Sequence, residues 1–350
     1  MNAVIHQRLT RVRRLLVGGA VLGVLVALAC GWATPAAVAP AYRFAIFACL
    51  APALGSLLFA LIHQLTGGQW AGALSPFLAA GYRLAPWLWL LVLPLLAFVP
   101  HTPQTWPLYD SRGMMAIRAG IYAIVLFFIT AKLGRHGLAP RWVGPAGMIV
   151  LVFMLHILAE DWLGSLDANW HSTAFALVWM TGIALSGLAA AILAALAFGV
   201  PPHAPYGGTR AIGLDLGDLM MATLLFWCYV AFAQFLIIWA GNMPEETSWF
   251  LRRLHGPWRF VPLTLAVFHF VLPFAILLSR PWKRTVGGLA LAACLLIGAQ
   301  LLYTAWIFLP VLPVHGWAGF GLAAALLLCG ATCFAHRYLA LVQSHLETSP

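Results

Sequence analysis

The chain has 350 residues, 63% of them hydrophobic and 8% charged, with a mean hydropathy of +0.93. Soluble domains carry roughly 45–50% apolar and about 25% charged residues, so this composition excludes a water-soluble enzyme and points to an all-α integral membrane protein. The 19 Lys and Arg outnumber the 9 Asp and Glu, but they sit between apolar runs, which marks membrane topology and excludes nucleic acid as a partner.

A helix needs about 20 apolar residues to cross the hydrocarbon core. Ten stretches meet that requirement, near residues 15–33, 44–64, 84–100, 114–132, 143–163, 173–198, 217–240, 260–279, 286–309 and 317–341. The first follows Arg8, Arg11, Arg13 and Arg14. Its apolar run is too long for a signal peptide and no Ala-x-Ala site follows, so it reads as an anchor. The third is short and carries Pro86 and Pro94.

With both termini cytoplasmic, most Lys and Arg fall inside, and only Arg43, Arg112, Arg252, Arg253 and Arg259 fall outside. The acids lean the other way: Asp110, Glu160, Asp161, Asp167, Glu245 and Glu246 all sit at the outer side. The loops are short, so helix packing defines the fold. The six cysteines lie almost all inside apolar runs and read as small packing residues; Cys329 and Cys333 share a helical face but lack companions for a metal site.

Ionisable side chains inside spans are costly, so each is a functional candidate. His63 and Asp218 lie toward the inner side, His269 near mid-membrane, and His156 with Glu160 one turn apart in the outer half of the fifth span, beside Asp161. Together they outline a broken proton path, since histidine titrates near neutral pH and a carboxylic acid in an apolar site can join it. Arg118, Asp167, Trp170 and Gln234 form a candidate quinone-facing polar cluster at the outer side. The plainer account is that each group caps a helix or pairs with a backbone carbonyl. His156 and Glu160 are the best exception, because their spacing permits direct contact.

A b-type haem would use facing histidines from two helices. His63 and His269 fall at different depths, and His156 with His269 has no spacing signature. No phosphate-binding loop, nucleophile elbow or zinc signature occurs. The many tryptophans at span ends suit an interfacial belt, and a quinone headgroup would want similar walls.

Four stretches carry a resemblance: residues 54–70, with His63 and Gly67; 160–173, with Glu160-Asp-Trp, Ser165-Leu-Asp167 and Trp170-His-Ser172; 214–218 with 232–249, with Asn242-Met-Pro244-Glu-Glu246; and 269–284. Together they resemble the ActF-type membrane subunits of bacterial alternative complex III, a quinol:electron-acceptor oxidoreductase, and so the wider NrfD/PsrC-like subunits. The resemblance spans about residues 44–310.

It implies two consecutive four-helix bundles flanked by one helix at each end. Here those would be an N-terminal helix in 1–42, bundles in 43–165 and 172–310, and a C-terminal helix in 316–341. It implies a multi-pass subunit of the bacterial inner membrane, without a redox centre of its own, that supports quinol oxidation and proton translocation. Quinone is the ligand to expect, with haem c and iron–sulfur clusters held by partner subunits. Those partners would be a multihaem cytochrome c, an iron–sulfur subunit, a homologous ActC-type membrane subunit and a monohaem cytochrome c, with membrane lipid around them; a terminal oxidase is left open. Two positions depart from the family pattern. The ninth span has Gln300, Tyr303 and Thr304 where an acid is usual, and Asp218 stands where many members are basic.

After the seventh span, Met243-Pro244 should end the helix sharply. Glu245, Glu246, Arg252 and Arg253 then make either a docking surface for a periplasmic redox partner or an internal ion pair. The competing function is a secondary transporter of a small solute or protons, to which the proline-bearing third span is the pointer.

Overall fold

The computed structural model describes residues 3–98, 111–134, 139–166, 170, 172–205, 210–311 and 317–348. Among them, ten helical segments are long and apolar enough to cross a membrane, from Thr10–Ala33 to Ala318–Glu347. The protein is an all-α multi-pass membrane protein. An even number of crossings puts both termini on one face; the opposite face is called the far face below.

The helices, in order, are α1 (Ala3–Ala33), α2 (Val38–Thr66), α3 (Trp70–Tyr82), α4 (Ala85–Leu90), α5 (Arg112–Leu133), α6 (Val143–Trp162), α7 (Thr173–Ala197), α8 (Ile212–Gly241) and α9 (Pro244–Arg252). They continue with α10 (Val261–Leu265), α11 (Leu272–Leu278), α12 (Arg280–Lys283), α13 (Val286–Phe308) and α14 (Trp317–Thr348). The third crossing differs from the sequence expectation. It starts at Trp70 rather than near residue 84 and runs to Phe98, broken between α3 and α4 where Pro86 begins a new first turn. Its hydropathy, 1.4, is the lowest of the ten, and its α3 part is rich in Ala and Gly, which let it bury against α2, α7 and α14.

At the centre, α2 packs against α7. Their backbones touch at Gly55 and Gly187: a Cβ at Gly55 would collide with the Ile183 carbonyl, and one at Gly187 with the Gly55 backbone. In lipid no hydrophobic force drives helices together, so van der Waals contact through small residues must do it. Of the ten candidate crossings, that of α2 is the most buried and that of α1 the least. The outermost pair, α1 and α14, uses the same device. A Cβ on Gly23 would sit 2.8 Å from the Cys329 nitrogen and 2.9 Å from the Ala325 oxygen. Around the central pair, α3, α4 and α6 gather on α2, and α8 and α13 on α7.

The end of α8 follows its sequence. Asn242 adopts a left-handed cap (φ 45°), Met243 is extended, and Pro244 opens α9 along the far face.

Gly187→Leu should abolish the monodisperse folded protein in mild detergent, read by size-exclusion chromatography. Gly113→Leu, where a Cβ meets nothing within 4 Å, should leave the profile unchanged.

Candidate functional site

Four consecutive residues at the far end of α6 point four ways, because each helical step turns the chain by about 100°. Ala159 and Trp162 are buried, and the Trp162 ring meets Trp89 edge-on at 6.2 Å. Asp161 turns to α5. Its carboxylate accepts from Arg118 Nε and Nη2, both at 2.9 Å, and from the Tyr122 hydroxyl at 2.9 Å. Arg118 and Tyr122 are four residues apart on α5 and so share the face that meets it. This bidentate, nearly dry pair fastens α5 to α6. Arg118 and Asp161 were candidates for the quinone cluster and the proton path; in the structure they hold each other.

Glu160 turns the other way, into a cleft of about 380 Å³. His156, one turn earlier on α6, lines the same cleft, with Ser172 before α7, Gln234 and Ile238 of α8, and Glu246 of α9. This volume is at the small end of the range for small-molecule sites, roughly 300–1,000 Å³. Gln234 Nε2 donates one of its two hydrogens to Ser172 Oγ at 3.0 Å, leaving a second N–H and the side-chain carbonyl oxygen. Glu160 Oε1 is enclosed and has no hydrogen-bond partner among the described residues. His156 and Glu160 face the same space without hydrogen-bonding to each other. The cleft thus offers mostly acceptors, a carboxylate from each side, an amide oxygen and an imidazole, beside the second Gln234 N–H and the Ser172 hydroxyl. It suits an occupant that donates hydrogen bonds or gives up a proton.

The remaining candidates lie elsewhere. Asp218 does not open a path at the near face. It is held by Lys283 and Arg210, while Lys283 lies against Gly217, so this cluster ties the start of α8 to α12. His63 meets the Trp70 ring edge-on at 5.4 Å near the end of α2. His269 is fully buried, its ring 3.9 Å from that of Trp227. It sits in a π-helical turn, Ala266–Val271, because Pro273 has no N–H for the His269 carbonyl and the ladder must shift. Among the described residues, neither His269 nitrogen has a partner, nor has the amide of buried Gln300, which lies on Gly182. The proposed path from His63 through His269 to Glu160 is therefore three separate places.

At the far face, Trp170 is not a headgroup wall. It is 2% exposed and stacked on Trp249 at 4.6 Å and 24°. Arg253 is likewise no docking residue. Its guanidinium lies 3.7 Å over the Trp249 ring and donates to the carbonyls of Trp249, Trp306 and Ile307 at 3.1–3.3 Å. Two of those carbonyls belong to the last turn of α13, which has no helical donors of its own, so Arg253 caps it. Arg252 is exposed and donates to Ser248. Glu246 was expected on the docking surface and instead lines the cleft. Asp167 and the Glu245 side chain lie outside the described residues.

Sequence reasoning missed Tyr122 and Ser172. The i, i+4 spacing of Arg118 and Tyr122 was a readable signal; Ser172 stood in the Trp170-His-Ser172 stretch of the resemblance but was given no role. Among the described residues, no group of three or more His, Cys, Asp and Glu is placed to hold a metal ion, and all six cysteines are free. No family model matches the chain, and no curated protein matches it.

Arg118→Met should destabilise the protein by about 3–5 kcal/mol by leaving Asp161 buried and unpaired. The double variant with Asp161→Leu should recover much of that loss, as read by thermal melting in detergent.

Proposed function

We propose that this chain is a membrane subunit of a respiratory quinol:electron-acceptor oxidoreductase in a bacterial cytoplasmic membrane. It works without a redox centre of its own, beside partners that carry haem c and iron–sulfur clusters. What supports the reading is the resemblance of residues 54–70, 160–173, 232–249 and 269–284 to ActF-type subunits, together with one structural observation. The Glu160 carboxylate faces a far-face cleft with an oxygen unpartnered, and His156 and Gln234 stand beside it.

Oxidising a quinol releases two protons, and a positioned carboxylate or imidazole is the group that takes them. The cleft opens among Ile237, Ile238 and Ala174, so an apolar ring can lie against it while its hydroxyls meet Glu160 and the Gln234 oxygen. His156, on the same face of α6, is placed to receive the proton next. Asp161, one residue on, is committed to Arg118 and stays out of this chemistry.

Tagged protein purified gently from its native membrane should bring haem c and iron–sulfur subunits with it and show quinol:cytochrome c reductase activity. In that complex Glu160→Gln should lower proton release per turnover, with turnover falling about tenfold or more, while assembly survives. Purification alone and colourless, with solute uptake in liposomes that needs no redox partner, would instead favour the transporter.

A further inference from the structure

The polar side of the far-face cleft is made by His156, Glu160, Ser172, Gln234 and Glu246; its apolar side is made by Ala174, Ile238 and Ile237, the last of them 63% exposed. Helices α6 and α8 both pack on α7 and run toward the far face, while α7 runs away from it. Helical spacing therefore identifies what lies one turn deeper in the membrane: residues three or four before His156 and Ile237, and three after Ala174. On α6 these are Val152 and Phe153, both exposed. On α8 it is Ala233, half-buried, and on α7 it is Leu177, exposed.

Leu177 is the telling residue. Among the described residues of α7, only Leu177 and the terminal Ala197 are exposed, and every other position is buried or half-buried. One turn below the cleft, then, the cover that α6 and α8 give α7 is open, and an apolar side chain of the central helix is bare to hydrocarbon. Ala233 keeps that opening clear, because its side chain ends at Cβ while its exposed neighbours on α8 are Phe232, Phe235 and Leu236. Hydrogen-bonding groups thus sit above and an apolar gap lies directly below. A molecule arriving from water has no use for the gap; one arriving from the bilayer does.

We propose that the cleft is entered sideways from the lipid, through a slot between α6 and α8 floored by Leu177. The slot holds the hydrocarbon tail of the ligand whose hydroxyl-bearing ring occupies the cleft, and Ala233 and Leu177 set which tails pass. A phospholipid does not fit the same place, because its phosphate would face the carboxylates of Glu160 and Glu246. The inference rests on the quinol reading only for the identity of the ring.

The test is photolabelling of the full chain in nanodiscs with a resorcinol bearing a long alkyl tail and a diazirine on that tail, read by peptide mass spectrometry. Label should concentrate near Val152, Phe153, Leu177 and Ala233, and excess untailed resorcinol should compete it away. Ala233→Trp should cut this labelling about tenfold by filling the slot, and the control Ile124→Trp on the exposed face of α5 should not. An alkane carrying the diazirine but no hydroxyls should label the slot no more than other lipid-facing positions. Equal slot labelling by that alkane, or full labelling of Ala233→Trp, would overturn the slot. If Ala233→Trp fails to fold, the wild type decides: label spread evenly over the lipid-facing helices overturns the proposal. Slot labelling in a protein whose native complex has no quinol:cytochrome c reductase activity would sink the quinol reading and keep the slot, whereas reductase activity without slot labelling would sink the slot alone.

Discussion

The fold depends on two helices that touch at their backbones. With Gly55 on α2 and Gly187 on α7 there is no room for a single Cβ on either side, and this closeness lets apolar helices hold together in a solvent as apolar as themselves. Everything else is arranged around that pair. Helices α3, α4 and α6 gather on α2, α8 and α13 gather on α7, and α1 with α14 closes the outside. The cleft lined by Glu160 is walled by the far ends of α6 and α8, the start of α7 and the start of α9.

Polar groups in this membrane protein divide by whether their bonding capacity is used up. The Arg118–Asp161–Tyr122 cluster, the Arg253 cap and the Asp218–Lys283 pair are spent on holding helices to one another. Glu160 and His156 are not spent, and they share a space large enough for a small ring. His269 and Gln300 are also unspent, but they are sealed inside the second half of the chain, where no described cleft reaches them. Among the described residues, Glu160 and His156 are thus unspent polar groups that line a cleft at the far face.

Much of this was legible in the sequence. Length and hydropathy located ten crossings, and Met243-Pro244 marked where α8 stops. That His156 and Glu160 share one face of α6 followed from their spacing; that they line a cleft without hydrogen-bonding to each other did not. What could not be read was direction around the helix axis. These helices are apolar on nearly every side, so no stripe tells which side meets a neighbour. Asp161 and Glu160 look equivalent in the sequence, yet one faces α5 and the other faces open space. Arg253 looked like a surface charge because the carbonyls it caps lie some fifty residues away. The third crossing was placed late: its hydropathy is the lowest of the ten, and its α3 part is rich in Ala and Gly.

The central claim is that Glu160 is the reactive carboxyl of the far-face cleft, while Asp161 is locked in structure. An apolar carbodiimide, applied to the protein in its native membrane and followed by peptide mass spectrometry, separates the two residues directly. The account requires modification at Glu160, with Asp161 spared as long as Arg118 is present. Modification at Asp161, or none at Glu160, would contradict it.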